Sequence, residues 1–304
     1  MKFEMRTNKK VLTTGLLVML MLCSLQAQKA DSILYKQVGE SALYLQVDYP
    51  LAYDALKNYP AMVFFFGGGW NGGSIEQFAP HAKYFASRGM VCFRADYRVR
   101  SRQGTSPFES LKDAKSAIRF LRTHALELGV DPDKIVASGG SAGGHLAVAS
   151  AVIEAFNEEG EDISVSCIPN ALVLFNPVFD NGPGGYGYDR IGEAFKDFSP
   201  LHNLREGMPP AVVFLGTEDK LIPVETARYF KTVMEKVGSR CDLFLYEGEG
   251  HGFFNYRRYE NYKDTREKAD NFLISTGFLQ KLPDPELRQG YPAPKATIVR
   301  EEWK

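Results

Sequence analysis

A serine in a glycine-rich turn is the strongest candidate nucleophile of this sequence. Ser141 lies within the segment SGGSAGGH, residues 138–145, which contains the pattern Gly-x-Ser-x-Gly. An apolar run precedes the segment and a helical pattern follows it, so the serine is expected on a sharp turn between a strand and a helix. In such a turn small residues let the chain pass closely, and the first amides of the helix face developing negative charge. The pattern predicts acyl-transfer chemistry at Ser141.

A serine hydroxyl needs a base to become a good nucleophile, and histidine usually supplies it. His251 follows an apolar run in the segment EGEGHGF, residues 247–253, and its glycine-flanked loop could reach a neighbouring strand end. His145 lies one turn beyond Ser141 on the same helix and is expected to be packed rather than catalytic. Three further histidines are expected in a surface helix, late in a second helix and in a long loop: His81, His124 and His202. His251 is the predicted base, and an ordinary loop histidine is the alternative.

The base in turn needs a carboxylate that fixes its tautomer and stabilises the imidazolium. The apolar run 211–215 is followed by the segment GTEDKLIP, residues 216–223. Asp219 lies just past the expected strand end and is the predicted partner of His251, with Glu218 as the second candidate. The three residues then follow in the order Ser141, Asp219, His251, with room between them for strands and crossover helices.

Acyl transfer also requires backbone N–H donors for the oxyanion. Three glycines directly follow the apolar run 61–66, and they can bring their amides close to a substrate. Gly67, Gly68 and Gly69 are therefore predicted to form the oxyanion hole together with the amide of Ala142. An ordinary tight turn is the alternative interpretation of the glycines.

Aromatic residues near these segments are candidate substrate contacts. Trp70 follows the glycines, and Tyr186 and Tyr188 lie in a long glycine-rich and proline-rich connection, residues 176–210. Trp70 is the predicted substrate-binding residue, and packing of the loop over the core is the alternative. Connections of this length usually have a purpose, so residues 176–210 are predicted to form a small lid.

The elements around these residues predict a mostly parallel sheet. Residues 33–37 and 42–49 alternate apolar and polar residues, which is typical of antiparallel strands at a sheet edge. Continuous apolar runs, typical of strands buried on both faces, then alternate with helical patterns. The runs are residues 61–66, 91–95, 135–138, 171–175, 211–215 and 242–246, and the helices are residues 108–128, 224–237 and 261–274. Eight strands flanked by helices give the α/β class.

The bulk composition and the ends of the chain constrain its partners and location. The 304 residues are 44% hydrophobic and 24% charged with a formal net charge of −1, which argues against nucleic-acid binding. Residues 1–27 resemble a cleavable export signal, with a basic start, an apolar stretch at 11–22 and a cut after Ala27; an uncleaved anchor is the alternative. We therefore expect a periplasmic or secreted protein without a membrane span after cleavage. Residues 281–304 are predicted to be a proline-rich tail.

The cysteines of the predicted mature chain do not have the spacing of a metal site. Cys23 would leave with the signal, so an odd number remains, without metal-ligand spacing. Cys92 lies in an apolar run and is expected to be a buried free thiol.

Together these segments resemble the α/β-hydrolase superfamily of serine esterases. They are most similar to acetyl-xylan and feruloyl esterase-like members related to the hormone-sensitive-lipase group. The motifs that carry the resemblance are GGGW at 67–70, DYR at 96–98, GGSAGGH at 139–145, GTED at 216–219 and GHGF at 250–253. The resemblance implies an α/β-hydrolase domain over residues 28–280 and a serine esterase without metal or organic cofactor.

The chain departs from the usual pattern of this group at one residue beside the glycines. The related enzymes usually carry His-Gly-Gly-Gly, and Phe66 stands here in place of the histidine that supports the loop. The expected substrates are acetyl or feruloyl esters of polysaccharides or oligosaccharides. The alternatives are a small peptidase of the prolyl-oligopeptidase type, a lipase, and a non-catalytic binding protein on a hydrolase scaffold.

Overall fold

Eight strands form one sheet in the computed structural model, which describes residues 31–51 and 53–283. The strands are β1 (Ser32–Val38), β2 (Ser41–Asp48), β3 (Tyr59–Phe65), β4 (Val91–Ala95), β5 (Val130–Gly140), β6 (Ala171–Phe175), β7 (Ala211–Gly216) and β8 (Cys241–Tyr246). The predicted signal at 1–27 and residues 284–304 of the predicted tail lie outside the described residues.

The order of the strands is β1-β2-β4-β3-β5-β6-β7-β8. β2 pairs antiparallel with β1 and β4, whereas every pairing from β4 to β8 is parallel. The predicted mostly parallel, eight-stranded α/β sheet is confirmed. The chain leaves β3 toward β4 on one side and later returns to β5 on the other. The carboxyl ends of β3 and β5 therefore border the point where the strand order reverses, where α/β sheets bind ligands.

Helices cover both faces of the sheet. They are α1 (Ala79–Ser87), α2 (Arg100–Gln103), α3 (Pro107–Thr123), α4 (Ala142–Val152), α5 (Tyr188–Ile191), α6 (Phe195–Phe198), α7 (Val224–Lys236) and α8 (Tyr259–Ser275). None of the helices within the described ranges has both the length and the apolar character needed to cross a membrane.

Side chains of the buried strands alternate between two apolar cores. In β3, Met62 and Phe64 enter the core that contains residues of α1 and α8. Val63 and Phe65 enter the core that contains residues of α3, α4 and α7. This two-sided burial explains why the parallel strands are continuous apolar runs in the sequence.

The third helix ends earlier than the sequence pattern predicted. Ser106 caps α3 by accepting from the N–H of Phe108, while the Glu109 carboxylate accepts from the N–H of Ser106. The helix stops at Thr123 rather than at residue 128, and β5 begins at residue 130 rather than 135. Gly129, with φ of 57°, turns the chain between them.

His81 is buried, so its predicted position in a surface helix is wrong. Its ring contacts Tyr262 of α8 at 4.8 Å and Phe175 of β6 at 5.2 Å between centroids. α1 is therefore enclosed between the sheet and α8. Burial, helped by the charge of Arg266, lowers the pKa of His81 to about 3. The histidine is a neutral core residue.

The connection 176–210 contains α5, α6 and turns of 3-10 helix. Phe195 and Phe198 are buried and anchor it to the core that contains residues of α3, α4 and α7. Its predicted role as a lid stays a prediction. Cys92, Cys167 and Cys241 are buried free thiols, as predicted for Cys92.

Candidate active site

Ser141 occupies the turn between β5 and α4. Its backbone has φ of 55° and ψ of −120°, a conformation that is costly for a residue with a side chain. Its N–H donates to the carbonyl of Phe175 at 3.0 Å, which fixes the turn against β6. A Cβ atom on Gly143 would lie 2.0 Å from the carbonyl oxygen of Phe65, so the close passage of helix and strand requires glycine there. The predicted strained turn is present.

Ser141 and Asp219 both contact the imidazole of His251. The Nε2 atom of His251 lies 2.9 Å from Oγ of Ser141, and its Nδ1 atom lies 2.7 Å from Oδ2 of Asp219. Because the carboxylate can only accept, Nδ1 carries the proton and Nε2 faces the hydroxyl as an acceptor. This arrangement is the one that general-base activation of a serine requires.

Asp219 is held as an anion. Its second oxygen, Oδ1, accepts from the backbone N–H groups of Leu221 and Ile222 at 2.9 and 3.0 Å. Burial alone would raise the pKa of the carboxyl, but the hydrogen bond and charge of His251 and the two backbone donors hold it below its ordinary value. Glu218, the second candidate for this role, is exposed and has no part in the chain of contacts.

The glycine loop after β3 lies against the nucleophile. A Cβ atom on Gly67 would lie 3.3 Å from Cβ of Ser141. The N–H of Gly67 donates to Oε1 of Gln77 at 2.7 Å, so this amide is already occupied. The prediction of Gly67 as an oxyanion donor is therefore corrected. The amides of Gly68, Gly69 and Ala142 donate to no other group of the described chain, and they remain the candidate donors.

Two family patterns match the chain, BD-FAE over residues 47–171 and the dienelactone hydrolase family over residues 185–281. A thermophilic esterase of known structure, Est2 from Thermogutta terrifontis, is 44% identical in sequence to this chain. The match covers 85% of this chain and 96% of the Thermogutta chain, with a TM-score of 0.80. The chain belongs to the esterases of the α/β-hydrolase superfamily.

Curated relatives of this α/β-hydrolase have different named substrates. A probable isoprenylcysteine alpha-carbonyl methylesterase of Arabidopsis thaliana is 29% identical over 220 residues, 63% of this chain and 45% of the relative. The acetylxylan esterase of Xylanibacter ruminicola is 26% identical over 313 residues, 96% of this chain and 57% of the relative. The chain spans about half of the length of these relatives. The Thermogutta esterase has also been solved with propionate bound and phosphonylated by sarin.

Phe66 takes a supporting position in this member of the superfamily. Its ring stacks on Tyr97 with centroids 4.1 Å apart and an interplanar angle of 15°. The hydroxyl of Tyr97 donates to the carbonyl of Phe66 at 2.7 Å. Arg98 forms a buried ion pair with Asp113 at 2.8 Å, so the DYR segment has a structural role in this chain. The loop is thus supported by aromatic stacking where related enzymes have a histidine.

The ring of Trp70 packs inside the hydrolase fold. Trp70 is 1% exposed, and its ring contacts His145, Tyr186 and Phe198. A ring that contacts substrate needs an open face, so Trp70 takes the alternative role of packing rather than the predicted substrate-binding role. His145 is also buried, with Nε2 3.1 Å from the carbonyl oxygen of Phe198, as the sequence predicted.

Gln77 and Asn255 form a bridge between the glycine loop and the histidine loop that the sequence did not predict. While Oε1 of Gln77 accepts from Gly67, its Nε2 donates to Oδ1 of Asn255 at 3.0 Å. Nδ2 of Asn255 donates to the carbonyl of Gly252, the residue after His251, at 2.8 Å. The bridge joins residues 178 positions apart, and no local pattern in the sequence marks it.

Arg190 is a second residue that the sequence analysis missed. Its Nη1 donates to the carbonyl of Gly69, and its guanidinium lies 5.4 Å from the ring centroid of Trp70. The connection 176–210 therefore contacts the glycine loop at Gly69, whereas Gln77 contacts it at Gly67. No group of three or more potential metal ligands exists within residues 31–51 and 53–283.

Proposed function

We propose that the protein hydrolyses carboxylic esters through an acyl-enzyme formed on Ser141. The observation that carries this proposal is the continuous hydrogen-bonded chain from Asp219 through His251 to Ser141. Membership of the α/β-hydrolase esterases supports it, as does the Thermogutta relative, which a phosphonylating agent modifies.

In the first step, Oγ of Ser141 attacks the ester carbonyl carbon while Nε2 of His251 takes the hydroxyl proton. The carbonyl oxygen becomes an oxyanion, and the free amides of the glycine loop and Ala142 are placed to receive it. Each such donor typically lowers the barrier by about 3 kcal/mol. Nε2 then returns the proton to the leaving alkoxide, the carbon–oxygen bond breaks, and the alcohol departs.

In the second step, water attacks the acyl-enzyme. His251 takes a proton from the water, a second oxyanion forms at the same amides, and the bond to Oγ breaks as the proton returns to Ser141. The products are a carboxylic acid and the free enzyme. Asp219 stays ionised throughout and stabilises the imidazolium in both steps.

The proposed substrates are acetyl or feruloyl esters of polysaccharides, and the proposed location is the periplasm or the cell exterior. The acetylxylan esterase relative, which matches 96% of this chain, supports the substrate class. The basic and apolar pattern of residues 1–27 supports export. Mass spectrometry of the mature protein tests export, and an N-terminus at Gln28 is the expected result.

The activity is tested with 4-nitrophenyl acetate and a fluorophosphonate probe. Ser141→Ala should lower kcat by at least about 10⁴-fold and abolish labelling. Ser239→Ala, which alters a serine near the start of β8, is the matched control and should keep both. Equal turnover or labelling in Ser141→Ala and the control would disprove the proposal. Release of acetate from acetylated xylan and of ferulate from feruloylated sugars then tests the substrate class.

A further inference from the structure

A groove of about 680 Å³ lies between the glycine loop and the histidine loop. One wall is formed by the glycine loop and the segment that leads into α1, and it includes Gly67 and Gln77. The other wall is formed by the histidine loop and the segment that leads into α8, and it includes Gly252 and Asn255. Cavities of this size hold organic ligands.

The groove begins at residues that adjoin the catalytic side chains. Gly67 packs against Ser141, since a Cβ atom on the glycine would lie 3.3 Å from Cβ of the serine. Gly252 directly follows His251, whose Nε2 atom lies 2.9 Å from Oγ of Ser141. The groove therefore borders the nucleophile on one wall and the base on the other.

The position of the groove matches the alcohol part of an ester. In the proposed reaction Nε2 of His251 returns a proton to the leaving oxygen, so this oxygen must lie within hydrogen-bond reach of the imidazole. The carbonyl oxygen instead faces the candidate donors Gly68, Gly69 and Ala142, none of which lines the groove. An alcohol part that leaves beside His251 can therefore extend into the groove.

Two arginines give the groove a positive charge. Arg257 and Arg258 line it and are exposed, so a ligand can reach their guanidinium groups. Neither side chain forms an ion pair or a hydrogen bond within the described chain. Glu76 also lines the groove, but its carboxylate forms an ion pair with Arg94 at 2.9 Å. The guanidinium groups therefore favour an anion, which each of them can bind through two parallel hydrogen bonds.

Two successive turns separate the arginines from the histidine loop. The N–H of Asn255 donates to the carbonyl of Gly252 at 3.1 Å, and the N–H of Arg258 donates to the carbonyl of Asn255 at 2.8 Å. Each such turn spans less than about 7 Å between its first and last Cα atoms, so the Cα atom of Arg258 lies within about 14 Å of that of Gly252. An alcohol part of one or two sugar rings covers this distance.

We propose that this groove binds the alcohol part of the ester and that Arg257 and Arg258 recognise an anionic group on it, a carboxylate or a sulfate. The inference rests on the proposed esterase function and makes it more specific. The preferred substrates are acyl esters of acidic sugars.

Matched esters of two lengths test the proposal. The pairs are 4-acetoxybenzoate and its carboxamide, and 4′-acetoxybiphenyl-4-carboxylate and its carboxamide. In each pair the alcohol parts differ only in the charge at the far end. The ratio of kcat/KM for acid over amide is compared between wild type and variants, so that differences in intrinsic reactivity cancel. In at least one pair this ratio should be about fourfold higher in wild type than in the double variant Arg257→Gln/Arg258→Gln, as expected for two exposed ion pairs. Equal ratios in both pairs would overturn the proposal.

Single variants locate the preference. Arg257→Gln and Arg258→Gln should each lower the ratio by about twofold, and Glu76→Gln should raise it by about twofold because a negative charge leaves the groove. Arg228→Gln removes an exposed arginine from α7 and should leave the ratio unchanged. An equal fall in Arg228→Gln and in the groove variants would mean that net charge selects the substrate, and it would overturn the proposal.

A third pair tests the assignment to the alcohol part. Monomethyl terephthalate and methyl 4-carbamoylbenzoate differ by the same charge in the acyl part, and their ratio should be the same in wild type and in the double variant. A larger effect of the double variant on this pair than on the other two would place the acyl part in the groove and overturn the assignment.

Binding of the alcohol alone separates this inference from the proposed function. In calorimetry, wild type should bind 4′-hydroxybiphenyl-4-carboxylate or the matching sulfonate about fourfold more tightly than the double variant does. The anion that binds more tightly identifies the natural group as a carboxylate or a sulfate.

The two proposals can fail independently. If wild type hydrolyses no ester but this difference in binding is found, the esterase proposal fails while the anion site remains. If wild type hydrolyses the esters and neither the ratios nor the binding depend on the two arginines, the esterase proposal stands and the anion site does not exist.

Discussion

Replacing Gln77 by glutamate tests whether the bridge between the two loops positions the oxyanion hole. The N–H of Gly67 can only donate, so it fixes Oε1 of Gln77 toward itself and Nε2 toward Asn255. Asn255 must then present Oδ1 to Gln77 and Nδ2 to the carbonyl of Gly252. Each amide sets the orientation of the next along the bridge.

Glutamate keeps the shape of Gln77 and the acceptor for Gly67 but loses the donor. Two oxygens then face each other at Asn255, or Asn255 turns and places its Oδ1 against the carbonyl of Gly252. Either arrangement costs about 1–3 kcal/mol. If about 1.4 kcal/mol of this cost reaches the oxyanion geometry, kcat falls by about 10-fold, which is less than the loss of a whole donor.

The assay is steady-state hydrolysis of 4-nitrophenyl acetate well below the melting temperature. Gln77→Glu should lower kcat and change KM by less than about twofold, because the oxyanion forms only along the reaction. Gln103→Glu is the matched control, since Oε1 of Gln103 also accepts a backbone N–H, that of Val99 at 2.9 Å, but outside the bridge. If kcat of Gln77→Glu equals that of wild type, or falls no further than that of Gln103→Glu, the bridge does not position the oxyanion hole.

Two further predictions concern stability. The pKa of His81 is lowered to about 3 in the folded protein, so the unfolded chain binds its proton first as the pH falls below about 6.5. The contribution of this residue to the free energy of unfolding is full above that pH and is about 2 kcal/mol smaller at pH 5. Urea unfolding at pH 7 and pH 5 should therefore show a smaller loss of stability in His81→Phe than in wild type. Equal losses in the two proteins would contradict this prediction. The backbone of Ser141 favours glycine, so Ser141→Gly should be more stable than Ser141→Ala by about 1 kcal/mol, and a lower urea midpoint for the glycine variant would contradict the strain argument.

Periodicity in the sequence was a good guide to the sheet because burial on both faces leaves a continuous apolar run. The runs 91–95 and 171–175 match β4 and β6 residue for residue. The expectation that His81 lies in a surface helix was wrong, because the residue is covered by α8, which lies far along the chain. A helix enclosed between a sheet and another helix buries polar residues that its own sequence would assign to solvent.

Residue types at strand ends were enough to predict which side chains meet at Ser141. They were not enough to assign each amide of the glycine loop, because that depends on a side chain the loop does not contain. Gln77 occupies the amide of Gly67 and thereby removes it from the candidate oxyanion donors. Trp70 illustrates the same limit, since its burial depends on residues 186 and 198 in the connection.

The reach of His251 depends on the strands that separate it from the nucleophile. β8 lies three strands from β5, which is about 14 Å at the usual spacing, so the histidine loop must cross the ends of β7 and β6. At β7 a Cβ atom on Gly216 would lie 2.1 Å from the carbonyl oxygen of Glu249, so only glycine lets the loop pass. At β6 the Oδ1 atom of Asn176 accepts the N–H of Gly252 at 2.9 Å and fixes the end of the crossing. Gly216 and Asn176 therefore help to bring the imidazole to the hydroxyl, so the catalytic geometry depends on the carboxyl ends of the strands between β5 and β8 as well as on Ser141, Asp219 and His251.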